Sequence, residues 1–294
     1  MTTIAQPPIA ATTPVALRML WLDMTRLCQL ACTHCYNDSG PQGDHGSMTG
    51  DDWTSVLGQA VRLGVQQIQL TGGEVTMYPG ALALVDRAQT LGLKVEVYSN
   101  LVHVTNEWWE ALQRDGITLA TSYYSDHATE HNAMTGRPSH ARTRSNIVQA
   151  VNLGIPLRAG VIVGSDEQRA GEARRELEDL GVSNVRMDDV RPFGRGAQGQ
   201  APDVAKLCGR CGTDRAAIGP NGEVSPCVFS AWLNVGNVKD TPLADILGGA
   251  AMGAANASIR KCHGGSSGTA AACTPDTDDE CSPGTPGSEC TPKN

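Results

Sequence analysis

The chain carries the stretch CQLACTHCY at residues 28–36, directly after an apolar run at residues 19–24. Its three cysteines, Cys28, Cys32 and Cys35, have the spacing C-x3-C-x2-C. Three thiolates on one short loop suit one face of a cubane iron–sulfur cluster, which takes one cysteine sulfur per iron and here leaves the fourth iron without a protein ligand. The spacing therefore indicates a cluster with one iron that is open to chemistry.

Two other interpretations of this loop involve different chemistry. Zinc usually takes four ligands in paired C-x2-C units, and His34, which could be a fourth ligand, lies inside the C-x2-C pair, where its ring is poorly placed to share the ion. A disulfide would leave one cysteine of the loop unpaired, and it needs an oxidising compartment that the first residues of the chain do not indicate. The cluster is therefore the favoured interpretation.

Composition and charge indicate a globular protein of one large or two modest domains. The 294 residues are 40% hydrophobic, which is enough for a sizeable core. The net charge is -8 and Lys and Arg do not cluster, so we expect neither a nucleic-acid partner nor an anionic membrane surface. Residues 1–17 lack the features of a signal peptide and no segment has the length of a membrane span, which predicts a cytoplasmic protein. Ten cysteines in groups then indicate metal or redox chemistry.

Short apolar runs alternate with segments of helical spacing from residue 18 onward, which predicts an α/β fold of successive β-α units with a parallel sheet. We predict six strands, at residues 18–25, 66–70, 94–99, 118–123, 156–163 and 184–190. Helices are predicted at residues 49–63, 81–91, 106–115, 141–153 and 166–180. Six such units with right-handed crossovers form a partial (β/α)6 TIM-like barrel, in which ligands bind at the carboxyl ends of the strands.

Glycines and small polar residues follow the predicted strands, where such a barrel binds its ligand. The second strand is followed by Thr71-Gly72-Gly73-Glu74, whose glycines permit close approach of the backbone and whose carboxylate suits an ammonium group. The next three strands end in residues of the same kind: Ser99 and Asn100, Ser122, and the run Gly160, Ile162 and Gly164. Turn formation and strand-end capping would explain each of them singly, whereas their order along the chain favours a common site.

The cysteine loop, completed by Tyr36, resembles the radical S-adenosylmethionine (SAM) enzymes, as do the Gly-Gly-Glu turn and the G-x-I-x-G-x-x-E run from Gly160. The resemblance implies that the three cysteines bind a [4Fe–4S] cluster whose open iron is chelated by SAM. One-electron reduction then cleaves SAM to methionine and a 5′-deoxyadenosyl radical, which takes a hydrogen atom from the substrate. The residues that the resemblance assigns to SAM are those at its amino group (Gly72, Gly73, Glu74), its ribose and carboxylate (Ser99, Asn100, Ser122) and its adenine (Gly160, Ile162, Gly164).

A second group of cysteines comprises Cys208, Cys211 and Cys227. The Pro-Asn-Gly sequence between them, at residues 220–222, is a strong hairpin signal, and the hairpin would fold Cys227 back toward the other two. This part resembles the start of a SPASM or twitch domain, which implies an auxiliary [4Fe–4S] cluster, and a small zinc ribbon is the alternative. Cys262, after a helix predicted at residues 243–259, is the expected fourth ligand.

The last residues repeat a Cys-Ser/Thr-Pro unit at Cys273, Cys281 and Cys290, in a segment rich in Gly, Pro, Asp and Thr that is predicted to lack a core of its own. These cysteines would serve a second auxiliary cluster with one more ligand, or form a reactive thiol tail, or one ordered only by metal. We expect a flexible leader at residues 1–17, a radical SAM barrel at 18–200, an auxiliary cluster domain at 201–262 and a tail at 263–294.

The resemblance predicts an enzyme that abstracts a hydrogen atom from a ribosomally synthesised peptide. Oxidation or cross-linking results if an auxiliary cluster accepts the substrate's electron, and epimerisation results if Cys262 or one of the three tail cysteines returns a hydrogen atom. The expected partners are the substrate and an electron donor such as ferredoxin or flavodoxin. Residues 1–17 are too short for the winged-helix element of some peptide-modifying enzymes, so two alternatives stay open: an epimerase or dehydrogenase of a small aminocyclitol or sugar, and a non-catalytic metal-binding protein.

Overall fold

A computed structural model of the protein describes residues 17–209 and 211–262, and within them the chain forms nine strands and eight helices. The strands are β1 (Met19–Asp23), β2 (Gln67–Thr71), β3 (Lys94–Tyr98), β4 (Ile117–Tyr123), β5 (Leu157–Val163), β6 (Asn184–Asp189), β7 (Arg215–Ile218), β8 (Glu223–Ser225) and β9 (Gly236–Asn237). The helices are α1 (Gly50–Arg62), α2 (Ala81–Thr90), α3 (Asn106–Leu112), α4 (Ala128–Thr135), α5 (His140–Asn152), α6 (Ala170–Asp179), α7 (Leu243–Leu247) and α8 (Ala250–Cys262).

The strands form one sheet in the order β6-β5-β4-β3-β2-β1-β7-β8-β9. Each neighbouring pair from β6 to β7 is parallel, and the last two pairs are antiparallel. The predicted α/β fold with a partial barrel is confirmed, and among the described residues the sheet stays open. The six predicted strands are present, and so is the hairpin, as β7 and β8. What the sequence did not reveal is that β7 lies beside β1 and so continues the sheet of the barrel.

The helices differ from the prediction in two places. Helix α4 was not predicted, because its sequence ATEHNAMT lacks an apolar stripe and it buries only His131 and Thr135. The single helix predicted at residues 243–259 is two helices, α7 and α8, because Gly248 and Gly249 interrupt it, and glycine is a poor helix former. By contrast, α1 begins where its sequence predicts, since Thr49 and Asp52 form a reciprocal capping box.

The parallel strands present two different faces because successive side chains alternate across a sheet. One face packs against the helices in the main apolar core, with Leu20 and Leu22 of β1 among its members. The opposite face of β1 carries Met19 and Trp21, which pack in a second apolar cluster with residues of the C-terminal segment. The apolar run at residues 19–24 is thus continuous because β1 is buried on both faces.

The face of the sheet that carries Trp21 also holds a buried ion pair. Arg158 on β5 donates through Nε to Glu96 Oε2 at 2.6 Å and through Nη2 to Glu96 Oε1 at 2.7 Å. Gln69 on β2 donates a further hydrogen bond to the Glu96 carboxylate. The side chains of Arg158 and Glu96 are 12% and 5% exposed, so this two-pronged contact is largely shielded from water.

The predicted boundaries of the leader, the barrel, the auxiliary domain and the tail stay predictions. Apart from Leu17, the predicted leader lies outside the described residues, as does the tail at residues 263–294. Among the residues that the structure does describe, no helix combines the length and the apolar character needed to span a bilayer.

Replacement of Glu96 by alanine is expected to lower the free energy of unfolding by about 3 kcal/mol, because it leaves a largely buried guanidinium without its carboxylate. Glu178→Ala is the matched control, since it removes the exposed Arg174–Glu178 pair on α6, whose side chains are 50% and 45% exposed. We expect the control to cost less than about 0.5 kcal/mol. Urea titrations of both variants measure the difference, and equal losses would contradict the importance of burial here.

Candidate functional site

A cleft of about 940 Å³, part of it open to solvent, lies at the carboxyl ends of the parallel strands. The thiols of Cys28, Cys32 and Cys35 line it together. Five of the residues predicted to contact SAM line the same cleft, near the ends of four strands or in the turns after them: Gly72 and Gly73 after β2, Asn100 after β3, Ser122 in β4 and Ile162 in β5. Residues separated by more than 130 positions in sequence are thereby brought to one cavity.

The cysteine loop, residues 28–40, is held by hydrogen bonds from its own backbone. Cys28 N donates to Gly40 O at 3.0 Å and closes the loop at its base. Ala31 N and Thr33 N donate to the carbonyl oxygens of Thr135 and Met134, both at 3.0 Å, so the loop lies against the C-terminal end of α4. The unpredicted helix therefore positions the cysteines.

The Gly-Gly turn after β2 lies against residues 25–27, which lead into the cysteine loop. Gly73 N donates to Thr25 O at 2.7 Å, and Glu74 N donates to Leu27 O at 2.9 Å. A Cβ at residue 73 would lie 2.3 Å from Leu27 O, and one at residue 72, where φ is +146°, would lie 2.7 Å from Thr25 O. Only glycine allows the two backbones to approach this closely, which confirms the physical reason for which the turn was singled out.

The side chain of Glu74 points into the protein and accepts four hydrogen bonds. Oε1 accepts from Thr76 N, Thr76 Oγ1 and Ser99 Oγ, and Oε2 accepts from Asn100 N at 2.8 Å. The carboxylate is fully buried. Its hydrogen bonds to Ser99 and Asn100 tie the turn after β2 to the end of β3. The residues that line the cleft do not include Glu74, Ser99, Gly160 or Gly164, and direct contact of these four with SAM stays a prediction.

The environment of the three thiols suits a metal cluster. Burial, reinforced by the charge of Glu74, raises the pKa of the Cys28 thiol to about 12. Burial and the neighbouring Cys35 raise the pKa of Cys32 to about 12 as well, against the opposing effect of Arg195. Buried thiolates are costly unless positive charge accompanies them, and bound iron supplies that charge. The donor set therefore fits an iron–sulfur cluster.

The geometry also bears on the zinc alternative. Among the described residues, no group of three or more His, Cys, Asp or Glu side chains is arranged to hold a metal ion. A cubane cluster needs no common point of contact, because each sulfur binds a separate iron. His34 packs its ring on that of Tyr124, with centroids 4.9 Å apart, and burial lowers its pKa to about 4. His34, the candidate fourth zinc ligand, thus packs on Tyr124, which favours the cluster interpretation.

Several residues that the sequence did not indicate complete the wall of the cleft. Asp188, Asp189 and Arg191 lie at and after the end of β6, and Arg191 Nη2 donates to both carboxylate oxygens of Asp188 at 2.7 Å. The Arg191 guanidinium lies over the ring of Phe229, 5.5 Å from its centroid. Tyr98 and Tyr124 also line the cleft. Five of these six residues could have been found by the rule already applied to Asn100, since each lies at or just after the end of a strand, whereas Phe229 could not.

The second cysteine group comes together as the hairpin predicted. Cys208 and Cys211 have their sulfur atoms 3.9 Å apart, and hydrogen bonding to Cys208 and to Cys227 raises the pKa of Cys211. Cys262 is the exposed last residue of α8, one turn after Ile259, which packs in the same apolar cluster as Cys211 and Cys227. Its role as a fourth ligand stays a prediction, and Cys273, Cys281 and Cys290 lie outside the described residues.

The family model described as Radical SAM superfamily matches residues 22–180. The chain belongs to the radical SAM superfamily. A second model, SPASM, described as an iron–sulfur cluster-binding domain, matches residues 208–279. The predicted family is confirmed by these matches. Membership implies a [4Fe–4S] cluster and SAM as cofactors, and the SPASM match implies auxiliary iron–sulfur clusters.

Relatives of this radical SAM protein include enzymes named for peptides. The PqqA peptide cyclase of Streptomyces rochei is 26% identical over 191 residues, which cover 63% of this chain and 52% of that protein. The antilisterial bacteriocin subtilosin biosynthesis protein AlbA of Bacillus subtilis is 25% identical over 252 residues, or 74% of this chain and 56% of that protein. The chain thus spans about half the length of these curated relatives.

The fold is also that of a solved structure. The crystal structure of Streptococcus suis SuiB bound to the precursor peptide SuiA superposes with a TM-score of 0.68 at 18% sequence identity. The superposition covers 83% of this chain and 67% of that chain. At this identity the likeness concerns the fold.

Gly73→Ala is expected to lower the free energy of unfolding by about 2 kcal/mol, because the new Cβ would force the turn away from the backbone of Leu27, which leads into the cysteine loop. Gly50→Ala is the matched control, since a Cβ at residue 50 would meet no heavy atom within 4 Å and that residue begins α1. We expect the control to be neutral or slightly stabilising. Denaturant unfolding of both variants tests this, and a Gly73→Ala protein as stable as the control would refute the close approach.

Proposed function

We propose that this chain is a radical SAM maturase of a ribosomally synthesised peptide. The observation that carries the proposal is the single cleft that joins three cysteine thiols, a glycine turn and the ends of the parallel strands to a wall from the C-terminal segment. Support for a peptide substrate comes from the relatives, one of which is named a peptide cyclase and another a bacteriocin biosynthesis protein. When bound, the cluster and SAM supply a 5′-deoxyadenosyl radical that abstracts a hydrogen atom from the substrate.

The cysteine loop would hold the cluster through the sulfurs of Cys28, Cys32 and Cys35. Leu30 N lies 3.4 Å from the Cys28 sulfur and Asn100 Nδ2 lies 3.6 Å from it, so both donate toward this ligand. Hydrogen bonds of this kind orient metal ligands and adjust their basicity. Asn100 cannot turn its amide over without loss, because its Oδ1 accepts from Val102 N at 3.0 Å.

The remaining cleft residues would bind SAM beside the thiols. We assign its methionine end to the backbone of Gly72 and Gly73, which adjoins the cysteine loop. Ile162 offers the apolar surface for the adenine, and Ser122, whose Oγ lies 2.8 Å from Tyr98 Oη, offers a polar group for the ribose. Glu74 would act from behind the turn, where it fixes the backbone of residue 100.

The C-terminal segment would close the cleft on the substrate side. Phe229 lies two residues after Cys227, and its ring packs edge-to-face on Tyr36 with centroids 4.9 Å apart. This aromatic pair would shield one side of the cleft from water. We propose that Cys208, Cys211, Cys227 and Cys262 hold an auxiliary cluster there. An electron donor such as ferredoxin or flavodoxin and a cytoplasmic location belong to the same proposal.

Reconstitution of the chain with iron and sulfide under anaerobic conditions, followed by SAM and a reductant, tests the proposal. We expect 5′-deoxyadenosine to form in the unaltered protein and to disappear in Cys32→Ala, which lacks one ligand of the SAM-binding cluster. Cys227→Ala is the matched control in the second group, and it should retain SAM cleavage while losing the modified product. Chromatography of 5′-deoxyadenosine and mass spectrometry of the peptide provide the readouts, in deuterated water so that an epimerised residue is marked by a deuterium.

The outcomes separate the parts of the proposal. Absence of 5′-deoxyadenosine from the unaltered, iron-loaded protein would refute radical chemistry and favour a non-catalytic metal-binding protein. SAM cleavage accompanied by modification of an aminocyclitol or sugar, and of no candidate peptide, would refute the peptide substrate and favour the small-molecule alternative. Product from both cysteine variants would contradict the division of labour between the two cysteine groups.

A further inference from the structure

The tripeptide Gly194-Arg195-Gly196, which follows β6, lies directly against the cysteine loop. A Cβ at residue 194, where φ is +54°, would lie 2.4 Å from Cys35 O, and a Cβ at residue 196 would lie 2.3 Å from Arg191 O and 3.2 Å from His34 O. Side chains are therefore excluded on both sides of Arg195, and the backbone of the tripeptide reaches the backbone of the loop. The radical SAM match ends at residue 180, before this segment.

Arg195 makes three hydrogen bonds to carbonyl oxygens of the cysteine loop. Its backbone N–H donates to Cys35 O at 2.9 Å. Its guanidinium donates through Nε to Cys32 O at 2.7 Å and through Nη2 to Ser39 O at 2.6 Å. A planar guanidinium can bridge two carbonyls that lie in different parts of one loop, which a lysine ammonium does less well. Arg195 thus fixes the shape of the loop at two of its cysteines.

The guanidinium of Arg195 has partners of a different kind from those of the other arginines near the cleft. Arg26, Arg158 and Arg191 are each paired with a carboxylate, those of Asp23, Glu96 and Asp188. Within residues 17–209 and 211–262, by contrast, the guanidinium of Arg195 has carbonyl oxygens as partners and no carboxylate. Its positive charge is therefore available to the cysteine loop itself.

The geometry points to Arg195 as a positioning residue that holds the cysteine loop in its cluster-binding shape and raises the reduction potential of the cluster. The inference rests on the proposed function, since it requires a redox-active cluster on Cys28, Cys32 and Cys35. One-electron reduction adds negative charge to the cluster and its thiolates, and a fixed cation hydrogen-bonded to the backbone of one ligand, Cys32, favours the reduced form. The reduction potential of the cluster that delivers an electron to SAM would thereby depend on the segment that follows β6.

Potentiometric titration followed by electron paramagnetic resonance tests the electrostatic part. The signal of the SAM-binding cluster is identified by its change on addition of SAM. We expect Arg195→Gln to lower the equilibrium constant for reduction about tenfold, which is about 59 mV for one electron, and Arg195→Lys to lower it less because the charge remains. Arg174→Gln, an exposed arginine on α6, is the control and should titrate like the unaltered protein.

Hydrogen exchange of the protein without iron tests the positioning part and does not depend on the cluster. We expect Arg195→Gln to take up deuterium faster in residues 28–40 and unchanged in α1 and α6. Unchanged exchange of the loop would overturn the positioning role, and a potential equal to that of the unaltered protein would overturn the electrostatic role. An unaltered, iron-loaded protein without a SAM-responsive signal would refute the proposed function instead, and exchange alone would then decide whether Arg195 holds the loop.

Discussion

The structure depends on the close approach of three backbone segments to one cysteine loop. The turn after β2, the end of α4 and the tripeptide after β6 each place a glycine where a Cβ would collide with a carbonyl oxygen of the loop or of the residues just before it. At Gly136, for example, φ is +68° and a Cβ would lie 2.6 Å from Ala31 O. Backbone hydrogen bonds along these contacts satisfy polar groups that the irregular loop could not satisfy alone. The cysteines are therefore held by main chain from three sides.

This arrangement explains how three thiols can be buried together. Burial favours the neutral form of each thiol and so opposes metal binding until cations arrive. The loop compensates through donors aimed at the Cys28 sulfur and through the guanidinium of Arg195 beside Cys32 and Cys35. A cluster with an open iron has one protein ligand fewer to hold it in place. Rigid support of the three cysteines is therefore important.

The C-terminal segment is part of the site as well as a place for a second cysteine group. Strand β7 pairs with β1 in register from Met19 to Leu22. The C-terminal segment also covers the face of β1 that carries Met19 and Trp21. Phe229 then reaches the cleft from the residues that follow Cys227. Because β1 leads directly into the cysteine loop, the packing of the C-terminal segment and the position of the first cysteines are mechanically linked.

The sequence by itself determined the order of the β-α units, the C-x3-C-x2-C loop and the polar residues at strand ends. These features are local, since alternation, capping and turn signals act between residues close in the chain. It could not determine that Glu74 turns away from the cleft, that β7 lies beside β1, or that Arg195 reaches Cys32 O across 163 positions. Those depend on which surfaces meet after the sheet has formed. A side chain's partner is then chosen by burial and geometry, and no local pattern records that choice.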